Sequence, residues 1–170
     1  NLFDKNTVTN HKMRKIPDSL SEMIDLAENM FSDKLIFTDE AKRSAKVAKF
    51  NKSTKLRKAW ELIWAISESL HELYFSQNDS KNISETFKNE TGFDIAFREG
   101  TQTRKDSSLM ALRNIVWEGK EISIEPHIKL GSSRNQSEVL RVYYSVLEEE
   151  KMILIGHMGD HLENVTSRSI

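Results

Sequence analysis

Apolar residues first recur with a helical period at Leu20, Met23, Ile24, Ala27, Met30 and Phe31, which places them on one face of a helix. Its start is well marked. Pro17 falls near the first turn, Ser19 and Glu22 make a capping-box pattern, and Asp18, Glu22 and Asp25 suit the positive end of the helix dipole. This helix is expected to end near Ser32, whereas residues 1–16 show no sustained period and read as a loose leader. Thr38, Asp39 and Glu40 signal a second start, after which Lys42, Lys46 and Lys49 stack along one face beside Ala41, Ala45 and Ala48. The strongest apolar stripe follows: Leu56, Ala59, Trp60, Ile63, Ile66, Leu70 and Leu73 predict a helix over 53–75 at the centre of the N-terminal half, with Trp60 in the core.

Residues 76–81 are polar and turn-forming, and divide the chain into an expected helical segment, 1–80, and an expected α+β domain, 81–170. The second part opens on a short helix with Asn82 as cap, Glu85 as its box partner, Ile83 and Phe87 facing inward, and Thr91-Gly92 as the stop. Residues 93–97 read as a strand and 98–108 as an exposed loop of mixed charge. From there the period drops to two. A hairpin is predicted from 114–117 and 121–128 around Glu118-Gly119-Lys120, with Pro126 marking an edge or a strand end. After a loop at 131–137, the last hairpin pairs 139–147 with 152–155 across the acidic tip Glu148-Glu149-Glu150. Its second strand is expected to run out into Gly156-His157-Met158-Gly159-Asp160-His161, followed by a polar tail over 162–170. The expected fold is α+β: an N-terminal helical segment, then a small antiparallel sheet of about four strands on one or two helices.

Composition sharpens this in three ways. With 38% apolar and 30% charged residues, two prolines and 170 residues in all, the chain suits a helix-rich globular protein able to bury a core. No run is apolar enough for a membrane span and no signal segment opens the chain, so a cytoplasmic protein without membrane contact is expected; an initial Asn suggests a piece of a longer protein. Zero cysteines exclude disulfides and thiolate metal sites. The net charge of −1 conceals an acid-free run over 42–58 carrying Lys42, Arg43, Lys46, Lys49, Lys52, Lys55, Arg57 and Lys58. Such a cluster binds phosphate backbones through counterion release, which makes Lys42, Lys46 and Lys49, with Lys129 further on, the candidate nucleic-acid contacts. The competing reading is a solvated helix face. Walker, GxGxxG, GxSxG and DxDxDG patterns are missing, so no cofactor is expected.

The densest reactive chemistry lies at 140–161. Alternation along the strand puts Arg141, Tyr143 and Ser145 on one face and Val142, Tyr144 and Val146 on the other. The sequence Arg-Val-Tyr-Tyr-Ser-Val, a turn, then Met-Ile-Leu-Ile-Gly-His resembles the closing hairpin of the RelE/ParE-type toxin superfamily, over roughly 82–161. That resemblance implies a compact α+β domain whose RNA-cleaving members act on mRNA at the ribosome. It implies phosphate contact by Arg141, base stacking by Tyr143 and acid/base chemistry at His157. RNA cleavage through the 2′-hydroxyl needs a base, an acid and cations around the phosphorane, which His127, Lys129, Arg141, Tyr143 and His157 can supply without a metal. It also predicts that His127, Arg141 and His157 converge. In the bland alternative, Arg141 and Tyr143 pack on a sheet and His157 satisfies a turn carbonyl.

A second constellation, His157, Asp160 and His161, with His127 as a further candidate, offers imidazole and carboxylate ligands for a metal-dependent hydrolase. The function expected from the sequence is a nucleic-acid-associated module, RNA-binding or RNA-cleaving, within a larger bacterial protein. The partners considered are RNA or DNA, a partner protein, or a further domain of the same chain. The alternative is a non-catalytic protein-interaction domain.

Overall fold

The structure, a computed structural model, describes residues 16–76 and 82–168. The expected leader over 1–15, most of the expected boundary at 77–81 and the last two residues of the tail lie outside the described residues. Helix α1, Leu20–Met30, starts where the capping pattern places it: the Ser19 hydroxyl accepts from the Glu22 N–H, while Glu22 reaches back to the Asp18 N–H at 2.9 Å. Its apolar stripe is buried. Helix α2, Asp39–Val47, is capped by Thr38. Helix α3, Leu56–Ala65, continues through a π-helical turn at Ile66–Leu70 into α4, His71–Phe75, and buries Trp60 as expected. Helix α5, Ile83–Thr91, is capped by Asn82 and stopped by Gly92 in the left-handed conformation, φ 80°.

The fold is α+β, as the sequence indicates. Its main sheet has five strands in the order β1-β7-β6-β5-β2: β1 is Leu35–Phe37, β2 Asp94–Ala96, β5 His127–Leu130, β6 Leu140–Leu147 and β7 Met152–Gly159. Strands β2, β5, β6 and β7 pair antiparallel, whereas the strand expected in this sheet at 114–117 lies outside it. The fifth, β1, comes from the N-terminal half and pairs parallel to β7, Leu35 opposite Ile153 and Phe37 opposite Ile155. The expected strand over 121–128 is divided at Pro126. Its first part, β4 (Lys120–Ser123), pairs with β3 (Asn114–Trp117) in a separate two-stranded sheet, and β5 joins the main sheet. Pro126 has no N–H to continue a ladder, but its carbonyl accepts from the Tyr144 N–H at 2.9 Å.

One core holds the two expected parts together. Leu20, Ile24, Ile63 and Leu70 from the helices and Ile128, Val142, Tyr144, Ile153 and Met158 from the sheet belong to one buried cluster. The alternating residues of β5, β6 and β7 face the other way. That second face is covered by the segment after β2, which begins in the expected exposed loop over 98–108: the chain folds into two short helices, α6 (Thr101–Arg104) and α7 (Ser107–Ala111), and then the β3–β4 hairpin. Leu109 and Ile124 from this cover are buried outside the helical core. A short helix α8, Val165–Arg168, closes the described tail.

Strand β7 is longer than its apolar run suggests, and its two glycines have a packing reason. Tyr143 opposes His157 and Tyr144 opposes Ile155, so Gly156 is the extra residue of a β-bulge. A Cβ on Gly156 would lie 2.7 Å from the Ile124 side chain, and one on Gly159 would lie 2.9 Å from the Ser44 carbonyl oxygen of α2. Both glycines permit close approach, and His157 lies within the strand, whereas the sequence pattern places it at the strand's end. Among the described residues, no helix is long and apolar enough to cross a membrane.

Candidate functional site

Strand register builds the site. His127 on β5 opposes Tyr143 on β6, and Tyr143 opposes His157 on β7, so three rings stand in a row on the covered face. The His127 and Tyr143 rings stack at 4.6 Å between centroids, and His157 meets Tyr143 edge-on at 5.5 Å. His161, just beyond β7, completes the group at 6.0 Å from the His127 ring and 6.2 Å from that of Tyr143.

An ion pair is packed beside this row. The Arg113 Nε donates to Glu99 Oε1 at 3.0 Å, with both side chains out of solvent, and the guanidinium carbon lies 5.9 Å from the Tyr143 ring centroid. Arg113 also donates through Nη1 to the carbonyls of Leu109 and Glu163, and through Nη2 to that of Leu162, tying the cover to the tail. The Tyr143 hydroxyl donates to the same Glu99 oxygen at 3.3 Å. Glu99 is held from behind: its N–H donates to Glu125 Oε1 at 2.9 Å, and that carboxylate pairs with Arg104.

The backbone sets the imidazole tautomers. His127 Nδ1–H donates to the Glu125 carbonyl at 2.9 Å and His161 Nδ1–H to the Leu162 carbonyl at 2.5 Å, which leaves the Nε2 lone pair of each ring free. One ring nitrogen of each of these imidazoles and a Glu99 oxygen form a set of donor atoms all within 4.8 Å of one another. Burial holds His127, His157 and His161 below the ordinary histidine range, so all three favour the neutral form. Burial likewise pushes the Tyr143 phenol far up, keeping it a proton donor.

The expected site residues therefore share a face without meeting at one point. His127, Tyr143 and His161 come together around Glu99. His157 is separated from His127 by the Tyr143 ring; its Nε2–H donates to the Asp160 carbonyl at 2.7 Å, the turn-carbonyl role, and its buried Nδ1 has no hydrogen-bond partner among the described residues. Asp160 aims its carboxylate at the Lys49 N–H, 3.0 Å away, so within the group His157, Asp160 and His161 the Asp160 oxygen is engaged elsewhere. The Arg141 Nη1 donates to the carbonyls of Leu130, Gly131 and Leu140, while its Nη2 makes no hydrogen bond among the described residues. Arg141 and His161 line one cleft of about 300 Å³ with Ser132, Arg134, Asp160 and Ser167. Lys129, exposed, is the register partner of Arg141.

The acid-free run is surrounded by acids in space. Lys42 pairs with Glu28 at 2.7 Å, Arg43 with Glu40, Lys55 with Glu138, and both Arg57 and Lys58 with Glu61. The Lys49 ammonium donates to the Gln136 side chain, and Lys46 stays exposed.

Sequence reasoning missed Glu99 and Arg113. Glu99 sits in the stretch read as an exposed loop and Arg113 directly before the strand expected at 114, and the available signal was weak: charged residues next to predicted strand ends, with nothing periodic to mark them as buried. Comparison with protein-family models, curated proteins and solved structures returned no match.

Proposed function

We propose that the protein is an RNA-directed module that cleaves phosphodiester bonds at the cleft shared by Arg141 and His161. The observation that carries this reading is that one cleft is lined by Arg141, whose Nη2 makes no hydrogen bond among the described residues, and by His161, whose Nδ1–H is held by a carbonyl, with a second imidazole, His127, 6.0 Å from His161. The resemblance of the final hairpin to the RelE/ParE-type toxins points the same way.

Arg141 and Arg134 would hold the scissile phosphate, and Lys129 the neighbouring backbone. One neutral imidazole, His127 or His161, takes the proton of the 2′-hydroxyl as its oxygen bonds to phosphorus. The bond from phosphorus to the 5′-oxygen breaks, and that oxygen receives a proton from the other imidazole in its protonated form. The products are a 2′,3′-cyclic phosphate and a 5′-hydroxyl. Tyr143 positions His127 by stacking, and Arg113 holds Glu99 against both.

The test is incubation of end-labelled RNA with the full chain in chelator. Cleavage leaving a cyclic phosphate end is expected, with an all-DNA strand left intact and a loss of about 100-fold in His161→Ala. Intact RNA under all conditions, or equal cleavage by the variant, overturns the reading.

A further inference from the structure

We propose that Glu99, His127 and His161 bind one divalent transition-metal ion of the zinc class, and that the ion blocks the cleavage proposed above. The inference rests on that reading only for its effect on RNA; the binding site stands on its own geometry.

Three observations converge. The donor atoms are two imidazole nitrogens and a carboxylate oxygen within 4.8 Å of one another, the ligand types that suit zinc, cobalt or iron. Each imidazole has its Nδ1–H fixed on a backbone carbonyl, of Glu125 for His127 and of Leu162 for His161, so Nε2 is the nitrogen left to ligate an ion. That is the outer hydrogen bond that orients a metal-ligating histidine and leaves its other nitrogen basic. The carboxylate is also held in place, with Oε1 taken by Arg113 and Tyr143 and Oε2 left for an ion.

A tetrahedral ion with bonds near 2.1 Å needs donors about 3.4 Å apart, so the set must contract. The residue free to move is His161, which is only half-buried and lies outside any helix or strand. The three ligands leave the ion an open position.

The Arg113 guanidinium beside Glu99 opposes a dication and limits the affinity. An anion on Arg141 would offset this repulsion. The consequence for RNA is direct: the same Nε2 lone pairs cannot both bind a metal and move protons, so occupancy stops proton transfer.

The experiment titrates the full chain with cobalt(II), read by its visible absorption, and measures zinc retained after desalting by elemental analysis. One equivalent is expected, with affinity reduced at least 10-fold in His161→Ala and, separately, in Glu99→Gln, each checked for unchanged circular dichroism. No retained metal, or binding unchanged in both variants, overturns the site. RNA cleavage is then compared in chelator and with one equivalent of zinc. Cleavage in chelator with no metal bound overturns the metal site and leaves the RNA reading. Stoichiometric metal with no cleavage in either buffer overturns the RNA reading and leaves the site. Cleavage undiminished by bound zinc overturns the inhibition.

Discussion

Arg113 and Glu99 pair at 3.0 Å with the arginine side chain wholly buried, so a full positive charge depends on one carboxylate and three backbone carbonyls for compensation. Removing one member of such a pair strands the other. Arg113→Met is expected to cost about 3–5 kcal/mol, and the double change with Glu99→Gln less than the two single losses added together. Urea unfolding of the three variants decides; a loss near zero for Arg113→Met would show that the pair is not holding the cover onto the sheet.

Tyr74 and Tyr144 share a hydrogen bond between hydroxyls at 2.9 Å, and Tyr144 is fully buried. Tyr74→Phe leaves that hydroxyl without its partner, at about 1–3 kcal/mol, whereas Tyr74→Phe with Tyr144→Phe removes the unmet group as well. The double variant is therefore expected to be more stable than the Tyr74 single variant. Equal stabilities by thermal melting would mean that Tyr144 finds another partner.

Glycine substitutions in β7 should differ according to what blocks them. At Gly159 the obstacle is the backbone oxygen of Ser44, and at Gly156 it is the Ile124 side chain. Gly159→Ala forces α2 away from the strand and is expected to cost about 1–3 kcal/mol. Gly156→Ala should be partly rescued by Ile124→Ala, which no change at Ile124 can do for Gly159. Chemical denaturation of both series checks the distinction, and rescue of both would refute it.

Acid should loosen the sheet face through His157. Burial lowers its pKa from 6.5, outweighing Glu40 of α2 and Asp160, which favour the proton, while His161 opposes it. The phenol of Tyr143 beside it stays neutral. As pH falls through 6.5 the unfolded chain takes up this proton more readily than the folded one. Stability is thus present in full above that range and declines below it. Melting temperatures followed from about pH 8 to about pH 5 should fall more steeply for the wild type than for His157→Gln; parallel curves would assign the acid sensitivity to other groups.

What the sequence determined by itself is the part of the fold that depends on near neighbours. Ser19 with Glu22, Asn82 with Glu85 and the left-handed Gly92 act across four residues or fewer, and their helices begin or end where the pattern says. Alternation in β6 is equally local, and it placed Arg141 and Tyr143 on one face before any partner was known. Tertiary structure decided what covers that face. Glu99 and Arg113 look solvent-exposed in sequence because charge predicts exposure; they are buried because each neutralises the other under the cover. The acid-free run over 42–58 is a fact of sequence neighbours, yet Glu28 and Glu138 reach it from other parts of the chain. Gly156 and Gly159 are visible as glycines, but only the approach of Ile124 and Ser44 gives them a reason. The parallel pairing of β1 with β7 joins Leu35 to Ile153, a separation that no local period encodes. Local patterns specify which surfaces must be buried; only the packed chain selects the residues that bury them.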